Sequence, residues 1–286
     1  MKVSYLILAH GDLLHLERLI DELSDENSRI YIHLDNRVVC PPHLHEKKNV
    51  YFIPDPLRLY WGGFSIVQAT LKLIQLAVEH GFGDYYALIS GTDFPVKRKD
   101  EFYSQLKQGG EFMSIQLADR SRRTLRYVYH HFEKFERRKF WQPYNAFYHI
   151  LETLIKVVFP KRKPSFKLYY GPMWFILSKK CVDYILTTAE RDKSYVDFFR
   201  NTLCADEAFF HSILGNSPFL EQVRPHLTYT HWPSKLTPGP ITETQIDIIK
   251  NNPTFTGKYG TSTPFFARKF SDSSTEVVAY IKKQLL

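Results

Sequence analysis

Cysteine and long apolar runs are both scarce in this sequence. Three cysteines occur in 286 residues, Cys40, Cys181 and Cys204, and they form neither a CxxC pair nor a cluster with histidine at zinc-ligand spacing. We therefore expect free thiols in a reducing compartment. No segment reaches the roughly 18 uninterrupted apolar residues of a membrane span, and the apolar stretch before His10 is too short for a signal peptide. The sequence predicts a cytoplasmic protein, with peripheral attachment to a membrane left open.

Motifs of several common enzyme classes are also missing. No GxGxxG follows the first predicted strand and no Walker A sequence occurs, which argues against dinucleotide oxidoreductases and P-loop ATPases. GxSxG and HExxH are absent, and the histidine pairs His43/His45 and His130/His131 have no third ligand at a suitable spacing. A DxD sequence, which would hold a divalent cation against a diphosphate, is not found. We expect no metal and no cofactor, so any phosphate group must be neutralised by arginine and lysine.

The chain is rich in aromatic and basic residues. Aromatic residues make up 15% of the sequence, and 44% hydrophobic with 24% charged residues is typical of a globular protein. The formal net charge of +8 indicates an anionic partner, namely a nucleic acid, a nucleotide or an acidic membrane surface. Because no repeat and no low-complexity linker is present, residues 1–286 are predicted to form a single domain.

The first hundred residues predict an α/β fold with a parallel sheet. VSYLILA and RIYIHLD are typical of strands on either side of a helix, LLHLERLIDEL, and YYALIS of a further strand after the turn WGG and a second helix. Polar residues follow these strands, namely His10, Asp35 and Asp93. Because ligands of such sheets bind at the carboxyl ends of the strands, we expect these three side chains to converge at one edge of the sheet.

Residues 120–167 differ from the rest of the chain, with thirteen lysines and arginines against three acids and many interleaved aromatic residues. They are predicted to form a basic aromatic helical insertion within the domain. Either its apolar stripe packs on the sheet, or its basic aromatic face lies on an anionic membrane. The composition would also suit nucleic-acid binding, but no recognisable motif is present and we do not expect a nucleic-acid partner.

Two further stretches place charged residues in apolar surroundings. In LCADEAFFHSIL, Asp206 and Glu207 lie at the start of a predicted helix, where an acid can simply cap the helix. In FFARKF, Arg268 and Lys269 interrupt an apolar run, and they either extend to water or contact an anion. From these residues alone, Glu207 is either a second acid that complements the helix start or a base that accepts a proton from a substrate.

Seven blocks occur in order between residues 5 and 270: YLILAH, IYIHLDNR, WGGFSIVQATLKLI, YYALISGTDFPVK, YYGPMWFILSKKCVDYI, DEAFFHSILGNS and TPFFARKF. In these blocks the chain resembles the family 14 glycosyltransferases, which contain the core 2/I-branching N-acetylglucosaminyltransferases and the peptide xylosyltransferases. WGG, DFP, EAFFHSILGNS and FFARKF are closer to the xylosyltransferases. Many cysteines and a membrane anchor, typical of Golgi members, are not found here, which favours a bacterial-type member at the inner face of the membrane.

The resemblance implies a GT-A-like fold, with a central mostly parallel sheet flanked by helices, and inverting, metal-independent transfer from a UDP-sugar. Glu207 is the expected general base and Asp93 its rival. Donor binding is expected from the residues at the strand ends, the WGG turn and FFARKF, namely His10, Asp35, Arg37, Trp61, Arg268 and Lys269. Trp174 and Asp206 are assigned to the acceptor side.

N-acetylglucosamine and xylose are the sugars that the resemblance favours, and the acceptor is a hydroxyl of a glycan, a lipid-linked glycan or a protein. The branching enzymes have a further cation near the segment that corresponds to LTYTHW. Thr228 occupies that position here, and Lys235 is the candidate substitute. The alternative function is a non-catalytic glycan- or membrane-surface-binding module that has kept the fold.

Overall fold

A computed structural model describes residues 1–119, 122–134, 139, 141–234 and 237–286, with the backbone alone for 122 and 123. Its strands are β1 (Val3–Ala9), β2 (Ser28–Leu34), β3 (Val50–Phe52), β4 (Tyr85–Ser90), β5 (Asp93–Pro95), β6 (Glu111–Met113), β7 (Gln116–Leu117), β8 (Tyr169–Tyr170), β9 (Phe175–Ser178), β10 (Val223–Arg224), β11 (Thr228–Thr230), β12 (Phe255–Gly257), β13 (Gly260–Ser262) and β14 (Phe266–Arg268). Its helices are α1 (Leu13–Leu23), α2 (Pro42–His45), α3 (Phe64–Glu79), α4 (Lys99–Lys107), α5 (Arg122–Val128), α6 (Pro143–Val158), α7 (Lys179–Arg191), α8 (Lys193–Phe199), α9 (Phe209–Gly215), α10 (Glu243–Asn251) and α11 (Thr275–Gln284). Short 3-10 turns cover Ala205–Glu207 and Leu220–Gln222.

The largest sheet of the described residues has seven strands in the order β10-β6-β9-β4-β1-β2-β3. Strands β1 to β4 run parallel, and β1 pairs with β2 from Val3 opposite Ser28 to Ala9 opposite Leu34. β9 runs antiparallel to both of its neighbours, β4 and β6. β1 and β4 are buried along their whole length, as parallel strands are when helices cover both faces. The predicted α/β fold with a central, mostly parallel sheet flanked by helices is confirmed.

Two apolar layers cover the two faces of this sheet. Because successive side chains of a strand point to opposite faces, Tyr5 and Ile7 pack in one layer with α1 and α11. Leu6 and Leu8 pack in the other layer, with α3, α7 and α9. Each fully buried side chain of this size stabilises the fold by about 1.5–3 kcal/mol. The residues at the strand ends are therefore supported by a well-packed core. That residues 1–286 form a single domain stays a prediction.

A second sheet, β11-β14-β5, brings together two segments that are distant in the sequence. β14 pairs antiparallel with β5, which places Arg268 opposite Asp93. β14 also pairs parallel with β11, which places Thr230 opposite Arg268. Residues 266–268 of FFARKF are thus held between two strands, and the backbone of Arg268 is fixed by pairing on both sides.

The basic stretch 120–167 contains α5 and α6, whereas 120, 121, 135–138 and 140 lie outside the described residues. The buried residues of α6 are Asn145 and Glu152. Its apolar residues are exposed or half-buried, and Ile150 is 62% exposed. The alternative in which the apolar stripe packs on the sheet is therefore wrong for α6, because its polar side faces the protein. In the described part of the chain, no helix is both long and apolar enough to span a membrane.

Candidate active site

His10, Asp35 and Asp93 lie at one edge of the main sheet, as predicted. His10 follows β1, Asp35 follows the neighbouring strand β2, and Asp93 begins β5 just after β4, on the other side of β1. Desolvation lowers the pKa of His10, and the positive charge of Lys269 lowers it further. Lys269 is therefore near His10. The strand ends and FFARKF therefore form one site, in which acidic and basic groups face the same region.

Asp35 and Arg37 form a clamp at the end of β2. Nε and Nη2 of Arg37 donate to the two carboxylate oxygens of Asp35 at 2.7 and 2.8 Å, and the backbone N–H of Leu59 donates to Oδ2 at 2.8 Å. Burial opposes ionisation of Asp35, but these hydrogen bonds outweigh it and lower its pKa to about 2. The clamp fixes the loop that leads to Trp61, whose ring is 55% exposed.

Arg268 is a buried cation held between an aromatic ring and a carboxylate. Its guanidinium carbon lies 4.2 Å from the ring centroid of Trp174, and its Nε lies 3.4 Å from Oδ1 of Asp93. The Arg268 side chain is only 10% exposed, so the alternative in which it extends to water is wrong. Trp174 is 9% exposed and has Arg268 over one face. Its role toward an acceptor sugar stays a prediction.

Asp93 is fully buried, and its two oxygens have different surroundings. Oδ2 accepts a hydrogen bond from the backbone N–H of Ser90 at 2.9 Å. Oδ1 faces Arg268 without a hydrogen-bond partner among the described residues. Burial raises the pKa of Asp93 to about 6, although Arg268 and Lys269 favour the ionised form. Burial also lowers the pKa of Arg268, which Asp93 opposes. The cost of removing both charged groups from water thus exceeds the attraction between them. The ion pair therefore contributes more to the position of Arg268 than to the stability of the fold.

Glu207 is the accessible acid of the site. It ends the 3-10 turn at 205–207, and its side chain is 37% exposed. Nη2 of Arg126 donates to Oε2 of Glu207 and, at 2.7 Å, to the hydroxyl of Tyr127. The Arg126 guanidinium also lies 4.8 Å from the ring centroid of Tyr127. Arg126 therefore orients the Glu207 carboxylate and leaves it open to solvent.

Backbone contacts hold Glu207 between two loops. The N–H of Cys204 donates to the carbonyl of Gly62 in the WGG turn at 2.7 Å, and the N–H of Gly171 donates to the carbonyl of Glu207 at 2.9 Å. A Cβ at Gly171 would lie 1.9 Å from the carbonyl oxygen of Ser114, so only glycine fits. Since Gly171 and Trp174 share one short loop, this loop connects Glu207 to Arg268.

Asp206 does not cap the following helix. α9 begins at Phe209, and no side chain caps it at Ala208. The predicted cap at Asp206 is therefore wrong, because Asp206 lies inside the preceding 3-10 turn. Burial, and next the charge of Glu207, raise the pKa of Asp206 to about 7. Its Oδ1 has no hydrogen-bond partner in the described part of the chain.

Three residues of the site were missed in the sequence. Arg126 lies in the basic stretch, where nothing distinguishes it from neighbouring cations. Oε1 of Glu133 accepts a hydrogen bond from the N–H of Ser65 at 2.7 Å, at the start of α3. Nε2 of His211 is 3.0 Å from the carbonyl oxygen of Pro172, and burial lowers the pKa of His211 to about 3. The neutral His211 ring therefore donates to this carbonyl, and only its place in DEAFFHSILGNS could have indicated a role.

The structure does not test whether Lys235 replaces the further cation that the branching enzymes have near the segment LTYTHW. Thr228 is buried in β11 opposite Phe266, and Lys235 lies outside the described residues. No three His, Cys, Asp or Glu side chains of the described ranges are grouped as metal ligands. The three cysteines, all within those ranges, form no disulfide, as predicted.

Comparison with known proteins gives the class and the family. The family model described as Core-2/I-Branching enzyme matches residues 3–253. The resemblance to glycosyltransferases is thus confirmed at the level of the family. The chain belongs to the Core-2/I-branching enzyme family.

Xylosyltransferases are among its relatives. Xylosyltransferase 2 of Canis lupus familiaris and of Homo sapiens are each 25% identical over 252 residues, which is 82% of this chain and 27% of the relative. The chain therefore spans about a quarter of the length of these curated relatives. Among solved structures, mouse xyloside xylosyltransferase 1 in its apo form is 13% identical over 81% of this chain and 89% of that one. Its TM-score of 0.34 is too low to carry an argument.

Proposed function

We propose that the chain is an inverting glycosyltransferase that moves a sugar from a UDP-sugar to a hydroxyl group. N-acetylglucosamine and xylose are the favoured sugars, and a glycan, a lipid-linked glycan or a protein is the acceptor. Family membership and the xylosyltransferase relatives support this reaction class. The observation that carries the proposal is an accessible carboxylate, Glu207, joined through the loop 171–174 to a buried cation, Arg268.

Glu207 is assigned as the general base. In a single displacement, the acceptor oxygen bonds to the anomeric carbon while the bond from that carbon to the UDP oxygen breaks. The acceptor proton must leave as the new bond forms, and it passes to a carboxylate oxygen of Glu207. Arg126 fixes the orientation of this carboxylate. A positioned base of this kind contributes about 10²–10⁴ to the rate.

Arg268 and Lys269 are assigned to the leaving group. The electrons of the broken bond go to the diphosphate, whose oxygen gains negative charge. Arg268 is already held by Trp174 and Asp93, so no reorganisation is needed when that charge develops. Arg268, held in place, and the neighbouring Lys269 supply the positive charge that a divalent ion would otherwise supply. Metal-independent transfer is therefore part of the proposal, as is a GT-A type of fold.

Asp93 remains the rival base, but its complete burial and its bond from Ser90 favour a positioning role. The other donor contacts are assigned to the clamp, the WGG turn and the first strand end, namely Asp35, Arg37, Trp61 and His10. Trp174 and Asp206 stay assigned to the acceptor side. A cytoplasmic location also remains a proposal.

The test separates binding from chemistry. Glu207→Gln should lower enzyme-dependent UDP release from the donor by about 10²-fold or more, because amide oxygens are poor bases. Its affinity for UDP, measured by calorimetry, should stay unchanged. Glu190→Gln, the same change at an exposed site on α7, is the matched control and should leave both quantities unchanged.

Two outcomes would contradict these assignments. If Asp93→Asn alone abolishes UDP release while Glu207→Gln retains it, the two acids exchange roles. If the unsubstituted chain does not bind UDP, the enzyme proposal fails in favour of a glycan- or membrane-binding module.

A further inference from the structure

Helix α6 packs on the protein with its polar side. Nδ2 of the buried Asn145 donates to the carbonyl oxygen of Lys139 at 2.9 Å. The carboxylate of the buried Glu152 accepts from the N–H of Phe132 at 2.7 Å and lies 3.2 Å from Nδ1 of His131. These hydrogen bonds, together with the edge-to-face contact of Tyr148 with Phe132 at 5.6 Å between ring centroids, fix which side of the helix faces inward.

The opposite side of α6 is apolar and exposed to solvent. We call it the outer face of α6, and it consists of Phe147, Ile150, Leu154, Val157 and Val158, which are 60%, 62%, 57%, 81% and 71% exposed. Residues spaced by three and four share one face of a helix, so these side chains form one stripe about 17 Å long. Trp141 and Phe159, 67% and 56% exposed, lie beyond its two ends. Proteins rarely leave such a stripe in water unless it has a partner.

The charges around this stripe favour an anionic partner. Lys139, Lys161, Lys163 and Lys167 flank α6 in the chain and are exposed. Of the acids in the described part of this stretch, Glu152 is buried and Glu133 accepts from a backbone N–H. A second copy of the chain is disfavoured as partner, because each copy has a net charge of +8.

We propose that the outer face of α6 docks on the surface of an anionic lipid bilayer. An apolar helix face flanked by lysines and bordered by a tryptophan is the arrangement of a helix that lies in the membrane interface. The apolar side chains enter the acyl boundary, and the lysines contact the lipid phosphates. This docking does not depend on the transfer reaction.

The position of the docking surface suits an acceptor held in the membrane. The same stretch places Glu133 at Ser65, next to the WGG turn, and Arg126 at Glu207. A bilayer that contacts the outer face of α6 would therefore be near residues 126–133, which form part of the site. A lipid-linked acceptor is the acceptor class that this placement favours, and this last step rests on the proposed function.

Vesicle co-sedimentation tests the docking. The unsubstituted chain should bind vesicles that contain phosphatidylglycerol, bind less at high salt, and bind vesicles of pure phosphatidylcholine weakly. Ile150→Asp combined with Leu154→Asp should weaken binding to the anionic vesicles by about tenfold or more. Leu14→Asp combined with Ile248→Asp makes the same changes at exposed positions of α1 and α10, 60% and 41% exposed, and should bind as the unsubstituted chain does.

Thermal melting and UDP calorimetry on all three proteins are the controls, and both should show that the substitutions leave the fold and donor binding unchanged. The proposal fails if the unsubstituted chain ignores anionic vesicles, or if the two double variants lose binding equally. It also fails if sedimentation shows a dimer that Ile150→Asp with Leu154→Asp abolishes, because the outer face of α6 would then join two copies. Loss of UDP binding with vesicle binding retained would overturn the proposed function and leave the docking intact.

Discussion

The buried Asp93 and Arg268 pair makes stability depend on pH in a defined direction. Burial raises the pKa of Asp93 from 3.8 to about 6. The folded chain therefore binds a proton at Asp93 more tightly than the unfolded chain does. Between about pH 4 and pH 6 the folded state carries more protons, so its stability falls as the pH rises through this window. A shift of about two pKa units corresponds to about 3 kcal/mol in the free energy of unfolding.

Asp93→Asn isolates this effect, because asparagine has nearly the same shape and does not ionise. Urea unfolding of both proteins between pH 4 and pH 8, followed by the fluorescence of the four tryptophans, gives the two free energies. Other groups titrate alike in both proteins. We expect the free energy of unfolding of the unsubstituted chain, relative to the variant, to fall by about 2 kcal/mol from pH 4 to pH 8, because at pH 4 the unfolded carboxyl group is already more than half ionised.

The control is Asp197→Asn, at an exposed aspartate of α8, and its difference from the unsubstituted chain should hardly depend on pH. A difference for Asp93→Asn that is flat across this range would refute the argument from burial. A difference that rises with pH would show that the attraction of Arg268 exceeds desolvation.

Substitutions at Arg268, Arg126 and Gly171 test other parts of the site. Arg268→Lys keeps the charge but loses the planar group that stacks on the indole, so calorimetry should show UDP affinity about tenfold weaker; equal affinity would contradict the assignment. Arg126→Met should lower kcat for UDP release by about tenfold with UDP affinity unchanged, because Glu207 loses its orienting partner, and Arg126→Lys should restore part of kcat. Gly171→Ala should destabilise the fold by about 1–3 kcal/mol in urea, because its Cβ meets a carbonyl oxygen at 1.9 Å. Gly257→Ala, where a Cβ has no atom within 4 Å, should change little, and equal effects would contradict this reasoning.

Much of the sheet could be predicted because its strands are local patterns. The predicted strand VSYLILA is β1 with the same bounds, Val3–Ala9, and the predicted helix LLHLERLIDEL is α1. The pairing of β14 with β5 could not be predicted, since it joins distant segments and leaves no local pattern. The start of α9 was also misplaced, because two acids before an apolar run are typical of a helix cap and equally of a 3-10 turn.

Those residues of the candidate site whose position follows from the sheet topology could be predicted. Contacts between side chains of distant segments could not. His10, Asp35 and Asp93 converge because parallel strands end at a common edge. The pairing of Arg126 with Glu207 depends on how a remote segment folds back, which spacing does not reveal. For α6, periodicity predicts an apolar stripe but not whether that stripe faces the protein or the solvent.

The central claim is that two neighbouring cations, Arg268 and Lys269, activate a UDP-sugar without a divalent ion. The most direct measurement is UDP release from a panel of UDP-sugars in EDTA, with acceptor-independent hydrolysis as the minimal reaction. We expect release from UDP-N-acetylglucosamine or UDP-xylose in EDTA, unchanged by added manganese and lost in Glu207→Gln. Strict dependence on manganese, or no release from any UDP-sugar, would contradict the account.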